Sequence, residues 1–300
     1  MRITLRQLQC FTAVAKNLSF TRAAEELHLT QPAVSMQMRQ LEQQAGVPLT
    51  EQLGKQIHLT EAGAEVYRYA REILVQVAEM DDVLAELKGL TGGQLRIAAI
   101  SSANYFAPKL LGVFHQRFPD IRVNLDVTNQ TSVLRQVTEN EVDMAIMGQP
   151  PSESTLDAIA FMDNPLVIVA PPHHRLAGRH RIPLEELERE TFLTREPGSG
   201  TRGATHRFFR QHKLKLTTGM QMNSLSAIKQ SVQAGLGLGL VPGGSVEAEL
   251  MLGQLVVLDF LDMPIARHWY VVLHKGKRLS VAANAFKLLL INEAEELLSL

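Results

Sequence analysis

Ser19-Phe20-Thr21-Arg22-Ala23-Ala24-Glu25-Glu26-Leu27, then His28-Leu29, then Thr30-Gln31-Pro32-Ala33-Val34-Ser35-Met36-Gln37-Met38-Arg39-Gln40-Leu41-Glu42, is the stretch on which the reading of this chain turns. It reads as two short helices joined by a tight turn. Thr30 suits an N-cap, and Gln31-Pro32 suit the first turn, where a missing N–H costs nothing. At 100° per residue Val34, Met38 and Leu41 fall on one face. That face packs on the preceding helix through Ala23, Ala24 and Leu27. Gln31, Ser35 and Arg39 form a neighbouring stripe, flanked by Pro32 and Met36. An ordinary amphipathic helix in a small core would show the same apolar stripe. The Ala-Ala pair, the tight turn, the capped start and the Gln-Pro-x-x-Ser surface together favour a helix-turn-helix instead. In that motif the second helix enters the major groove of double-stranded DNA. Glutamine can pair bidentately with adenine, serine with several bases, and arginine with guanine or phosphate. The expected DNA-binding residues are therefore Gln31, Pro32, Ser35 and Arg39 in the groove, with Thr21, Arg22, Thr30 and Lys55 on phosphates.

The flanking sequence extends this module. Thr4-Leu5-Arg6-Gln7 is a capping box that starts a helix with Leu5, Leu8, Phe11, Val14 and Leu18 on one side. Gly46-Val47-Pro48-Leu49 ends the groove helix. Residues 49–59 read as a hairpin whose tip, Leu53-Gly54-Lys55, makes a wing. Thr60 then caps a long helix reaching about residue 88. Its apolar positions, Ala62, Val66, Tyr69, Ile73, Val77, Met80, Leu84 and Leu87, recur every three or four residues, as in a helix that pairs with a second copy; packing on its own chain is the alternative.

Charge and composition bound the rest. The 300 residues carry a net charge of −1 and 45% apolar residues, values of a soluble globular protein with two or three domains. Residues 1–58 hold six basic against four acidic side chains, a net of +2, so phosphate contact is local. One cysteine, Cys10, excludes an intrachain disulfide and a cysteine zinc cluster. No run approaches the roughly 20 apolar residues of a membrane span, and the start lacks a signal-peptide pattern. A cytoplasmic protein without membrane contact is expected.

Beyond Thr91-Gly92-Gly93, read as a hinge, strands and helices alternate. Strands are expected at 95–100, 121–128, 142–147, 166–170, 191–194, 218–222, 236–241 and 269–273. Helices are expected at 105–118, 133–139, 201–212, 225–234 and 281–298. This alternation predicts open α/β sheets in two lobes crossed by the chain. In such sheets ligands sit beyond the carboxyl ends of strands, often at helix N-termini. The junctions with that position are Ser101-Ser102-Ala103-Asn104, Asn129-Gln130-Thr131-Ser132, Arg195-Glu196-Pro197-Gly198-Ser199-Gly200-Thr201-Arg202 and Asn223-Ser224. Plain helix capping accounts for Ser101, Thr131 and Asn223 equally well. The candidate ligand residues are Ser101, Ser102, Thr131, Arg195, Ser199, Gly200, Thr201, Arg202 and Asn223, suited to a small anionic metabolite. Gly198–Arg202 lacks the lysine and spacing of a phosphate-binding P-loop. Gly235-Leu236-Gly237-Leu238-Gly239 lies before a strand, the reverse of a dinucleotide fingerprint, and reads as a helix C-cap. His173-His174 reads as a surface turn. No nucleophile, base and orienting group stand together, so no enzyme and no metal site are expected.

The pattern Phe11-x-x-Val14, Ser19-Phe20-Thr21-x-Ala23-Ala24-x-x-Leu27, Thr30-Gln31-Pro32-Ala33-Val34-Ser35, Leu41-Glu42, Gly46 and Leu59-Thr60-x-Ala62-Gly63 resembles the LysR-type transcriptional regulators, and the resemblance runs the length of the chain. It implies a winged helix-turn-helix, a long linker helix and a two-lobed α/β effector domain of the periplasmic-binding-protein type. The corresponding domains are 1–59 for DNA binding, 60–90 for linkage and dimerisation, 91–162 plus 267–300 for lobe I, and 163–266 for lobe II. It also implies a homodimer through the linker helix, a homotetramer, promoter DNA and RNA polymerase as partners, and a co-inducer in place of a cofactor. Leu49-Thr50-Glu51-Gln52-Leu53-Gly54-Lys55 and the 195–202 loop are similar to the branch that activates Calvin-cycle (carbon-fixation) operons. For that branch the effectors implied are phosphorylated metabolites or NADPH. An aromatic-acid or amino-acid-derived effector on the same architecture, and an α/β enzyme with an added DNA-binding module, are the alternatives. Thr50 stands where the family usually has Phe, Gln52 where it often has Arg, and Met36 where a basic residue is common. Weaker wing anchoring is expected from Thr50, and one phosphate contact fewer from Gln52.

Overall fold

The computed structural model describes residues 3–54, 56–87, 93–151 and 155–298. The chain divides into two compact units, Met1–Gly89 and Leu90–Leu300. Lys55 and most of the 91–93 hinge lie outside the described residues.

The first unit opens with α1 (Leu5–Asn17), whose Thr4–Gln7 capping box is reciprocal. Phe20–Glu26 forms α2 and Gln31–Ala45 forms α3, capped by Ser19 and Thr30. The link between them is held by backbone hydrogen bonds, His28 N to Glu25 O (3.2 Å) and Leu29 N to Ala24 O (2.8 Å). Ala23 and Ala24 are buried, as are Val34, Met38 and Leu41 of α3. Alanines at the contact let the two backbones come close. On α1 the apolar ends Leu5 and Leu18 are exposed, while Leu8, Phe11 and Val14 are buried with Cys10. Burial pushes the Cys10 thiol above its ordinary range.

β1 (Thr50–Leu53) and β2 (Gln56–Leu59) pair antiparallel as the wing. The Glu42 carboxylate at the end of α3 accepts hydrogen bonds from Leu49 N (2.9 Å), Thr50 N (3.1 Å) and Thr50 Oγ1 (3.3 Å). Thr50 is thus held by its polar groups. The hydroxyl of Thr60 donates to Pro48 O (2.8 Å) and accepts from Gly63 N (2.9 Å). It ties the wing to the start of α4 (Glu61–Leu87), 27 residues or about 40 Å long. The apolar seam expected on α4 divides in two. Ala62, Val66, Tyr67, Ala70 and Leu74 pack on the α1–α3 core, with Phe11 edge-on to Tyr67. Tyr69, Ile73, Met80 and Leu84 are exposed.

The second unit holds two five-stranded sheets. Lobe I contains β3 (Gln94–Ile100), α5 (Ala107–Arg117), β4 (Arg122–Thr128), α6 (Gln130–Thr138), β5 (Met144–Met147) and β6 (Leu156–Asp163). Lobe II contains β7 (Leu166–Ala170), β8 (Thr191–Arg195), α7 (Gly200–Gln211), β9 (Thr217–Met222), α8 (Leu225–Gln233), β10 (Leu238–Pro242), α9 (Glu247–Met251) and β11 (Val256–Val257). The chain then returns to lobe I as β12 (His268–His274) and α10 (Val281–Leu298). Strand orders are β4-β3-β5-β12-β6 and β11-β7-β10-β8-β9. The parallel pairs β3–β4, β3–β5, β8–β9 and β8–β10 lie at the sheet positions where loops after strands converge. Each sheet ends in antiparallel strands delivered by the crossings. The two crossings run side by side. Leu166 and Ile265 exchange backbone hydrogen bonds (3.0 Å each), and Asn164 N donates to Arg267 O (2.7 Å). Trp269 of β12, fully buried, stacks near Phe106 and donates to Tyr105 OH (3.3 Å).

The strand β6 departs from expectation, since no strand was read there. It is an edge strand paired only with β12, and five of its eight residues are exposed, so no alternating apolar pattern marks it. The 105–118 helix is shorter and follows a 3-10 turn at Ser101–Tyr105.

Replacing Glu42 with alanine removes all three wing bonds, and Glu42→Ala should cost about 2 kcal/mol of stability in the first unit. Denaturant unfolding of the full chain, followed through a probe in residues 5–59, would read this as a lower midpoint. Glu42→Gln, which keeps an acceptor, should lose less. An unchanged midpoint for Glu42→Ala would mean that the wing is held by something else.

Candidate functional site

Two surfaces carry the expected residues. On the first unit Gln31, Pro32 and Arg39 are exposed on α3, with Ser35 half-buried between them. Thr21 and Arg22 are exposed on α2, and Thr30 is exposed while its hydroxyl accepts from Ala33 N. Gln31 Nε2 donates to Ser35 Oγ (2.9 Å). A glutamine amide has two protons. One is engaged by Ser35, which leaves the other proton and Oε1 without a partner among the described residues on this exposed side chain. The burial of Val34, Met38 and Leu41 behind them fixes which way this stripe faces.

In the second unit a cleft of about 700 Å³ lies between the lobes. From lobe I it is lined by Gln130, Thr131 and Gln149, and from lobe II by the 197–200 loop, Arg202, His206 and Arg207. Arg267, on the return crossing, lines it as well. The loop approaches the side chains of α6 at its glycines. Gly198 has φ +84°, and a Cβ there would sit 3.1 Å from Thr131 Oγ1. A Cβ on Gly200 would sit 2.8 Å from Gln130 Oε1. Ser199 is the N-cap of α7, but its side chain caps none of the first-turn amides, which leaves that turn open to an anion.

The nine expected ligand residues separate into two groups. Thr131, Ser199, Gly200 and Arg202 line the cleft. Of the others, Ser101 and Asn223 meet Arg195, which is 5% exposed. Its guanidinium donates from Nε and Nη2 to the two carboxylate oxygens of Glu196 (2.7 and 2.9 Å). Nη2 also reaches Ser101 Oγ (2.9 Å) across the lobes, and the Asn223 carbonyl (3.5 Å). Arg195 is therefore neutralised by its own neighbour and joins the lobes. Ser102 and Thr201 are buried, and the Thr201 carbonyl accepts from Thr205 Oγ1. Arg202 Nη1 donates to Arg195 O (2.9 Å) and Gln221 Oε1 (2.7 Å).

Sequence reading missed Arg207 and Arg267. Arg207 is exposed and donates to Gln149 Oε1 (3.2 Å). Arg267 is half-buried, and its guanidinium donates from Nη1 to Gly200 O (3.4 Å). Its Nε is buried without a partner among the described residues. Burial, and then repulsion from Arg207, pull Arg267 down from the ordinary arginine range. No carboxylate among the described residues lines the cleft. Neither arginine belongs to a motif, and one lies 60 positions beyond the other, so only the fold unites them. Among the described residues no group of three His, Cys, Asp or Glu could hold a metal, and no helix is long and apolar enough to cross a membrane. His173 and His174 lie in a turn, closed by His174 N on Pro171 O, and His174 Nε2 meets Glu190 (3.3 Å).

These two surfaces, a groove-reading helix and a two-lobed cleft, define a ligand-responsive DNA-binding regulator. Residues 5–64 match the bacterial regulatory helix-turn-helix proteins of the lysR family, and residues 88–295 match the LysR substrate binding domain. The chain belongs to the LysR family of transcriptional regulators. It is 52% identical over 294 residues to the RuBisCO operon transcriptional regulator of Allochromatium vinosum, covering 98% of this chain and 97% of that protein. It is 42% identical over 283 residues to the transcriptional activator CmpR of Synechocystis sp., covering 94% and 93%. The second unit is similar to the regulatory domain of Synechocystis PCC6803 CcmR in complex with 2-PG, with a TM-score of 0.63, 38% identity, and 69% of this chain and 96% of that one covered.

The Arg195–Glu196 pair should matter to stability. Arg195→Met strands a half-buried carboxylate and should cost about 3 kcal/mol in the second unit. Thermal unfolding of the full chain checks it, and Arg195→Met together with Glu196→Gln should recover part of the loss. A melting temperature unchanged by Arg195→Met would contradict the joining role.

Proposed function

We propose that this chain is a cytoplasmic activator of a carbon-dioxide-fixation operon that responds to a small phosphorylated metabolite. The observation that carries the reading is the 52% identity, across 98% of the chain, to a RuBisCO operon regulator. The CmpR activator and the 2-PG complex of the CcmR domain support it. In this reading residues 1–59 bind promoter DNA and 60–90 join two copies. Lobes 91–162 plus 267–300 and 163–266 hold the effector. Gln31, Ser35 and Arg39 contact base edges and Pro32 sets the start of the helix in the groove. Thr21, Arg22, Thr30 and Lys55 contact phosphates.

The exposed stripe of Tyr69, Ile73, Met80 and Leu84 supports pairing with a second copy, because a single chain leaves it in water. Two modules then meet two half-sites about one helical turn apart. Tetramer formation and contact with RNA polymerase complete the proposal. In the effector cleft Thr131, Ser199, Gly200 and Arg202 are direct contacts. Ser101, Ser102, Arg195, Thr201 and Asn223 act by holding the lobes and the 195–202 loop.

The test is binding of the full chain to the promoter fragment of a neighbouring RuBisCO operon, by mobility shift with and without 2-PG. Salt-sensitive binding that changes its shift with 2-PG is expected. Binding that ignores 2-PG and other phosphorylated metabolites would remove the effector reading. Lack of binding to the fragment would remove the operon assignment. On that operator Gln31→Ala should relax preference at one base position by about 1–3 kcal/mol, measured across single-base variants. Equal affinities of wild type and Gln31→Ala for every variant would contradict the assigned contact.

A further inference from the structure

We propose that Arg207 and Arg267 form a clamp for a doubly charged phosphate group of the effector, with Arg267 the residue that selects a dianion over a monoanion. The inference rests on the reading that the cleft takes a small anion, and it adds which atoms read the charge. Of the arginines in or near the cleft, Arg195 is saturated by Glu196, and Arg202 spends Nη1 on Arg195 O and Gln221. Arg207 and Arg267 meet no carboxylate among the described residues; Arg207 donates to the neutral Gln149 amide and Arg267 to the Gly200 carbonyl.

Two guanidinium groups that line one cleft, one of them half-buried, with no carboxylate among the described lining residues, are an unfavourable arrangement. Repulsion from Arg207 is one of the causes that draw Arg267 down. A dianion bound in the cleft beside them offsets that repulsion. The surroundings suit a phosphate. The first turn of the 12-residue α7 opens on the same cleft with its N-cap side chain unengaged. Gly148 and Gly200 border the guanidinium, a Cβ on them lying 3.3 Å and 3.9 Å from Arg267 Nη2. A carboxylate carries one charge and could satisfy one guanidinium, whereas a phosphate monoester offers about two charges and three acceptor oxygens.

The position of Arg267 also gives the clamp a mechanical consequence. Its carbonyl accepts from Asn164 N, so its backbone is part of the paired crossings. An anion bridging Arg267 and the α7 end of lobe II therefore fastens a lobe to the hinge itself.

The test uses the full-length protein and calorimetry with 2-PG, with inorganic phosphate, sulfate and acetate as competitors at matched ionic strength. Phosphate and sulfate should displace 2-PG from wild type, and acetate should not. Arg207→Met and Arg267→Met should each weaken 2-PG at least tenfold and abolish displacement by sulfate, while Arg267→Lys should restore part of both. Circular dichroism melts identify any variant that fails to fold; Arg207 is exposed, so Arg207→Met decides the matter if Arg267→Met unfolds. Wild type that binds 2-PG, with both methionine variants within twofold of it, would overturn the clamp and leave the effector reading standing. Acetate competing as well as sulfate would overturn the selection of a dianion. Failure of wild type to bind 2-PG, phosphate and sulfate alike would overturn both readings together.

Discussion

The burial of one apolar stripe, Val34, Met38 and Leu41 of α3, against the alanine pair of α2 and the core side of α1 is the constraint on which the DNA-binding unit depends. Each of these side chains contributes about 1.5–3 kcal/mol by leaving water. Because the helix period is fixed, burying that stripe decides that Gln31, Ser35 and Arg39 look outward. The rest of the unit secures the same helix at its ends. Thr30 caps its start, and Glu42 near its end holds the wing through three hydrogen bonds. The outward stripe has its direction set because its opposite face is core.

The effector unit is governed by a different constraint, the two adjacent crossings between its sheets. Leu166 and Ile265 pair there, and the residues that follow the return crossing are Arg267 and the strand β12 that completes lobe I. Residues near such a hinge sense both lobes. The glycine loop before α7 comes close to α6 from the other side, and Arg195 ties Ser101 to the loop. What is left between them is a cleft rich in guanidinium groups. An anion is the one class of ligand that would lower the electrostatic cost of that cleft.

Much of this was legible in the sequence, for reasons that can be named. Local signals carried the N-terminal unit: the Thr4–Gln7 box, the Ser19 and Thr30 caps, the Gly46 stop and the wing hairpin all act within a few residues. The alternation of buried parallel strands with helices marked the two lobes. What escaped reading depended on contacts far apart in the chain. The edge strand β6 exposes most of its length, so its pattern is weak. The α4 stripe looked like a single seam, but neighbouring turns face the core and water. At the cleft, Arg195 stood out beside glycines, yet Glu196 at the next position already neutralises it. Arg207 lies mid-helix and Arg267 in a crossing, and no local pattern announces either.

Footprinting of the full-length protein on the promoter of a RuBisCO operon, with and without 2-PG, addresses the central claim most directly. The account predicts protection of two half-sites about one helical turn apart and a change in the protected or hypersensitive positions when 2-PG is added. A footprint identical in its presence and absence, and equally indifferent to other phosphorylated metabolites, would contradict a regulator switched through the cleft; no footprint at all would contradict the operon assignment.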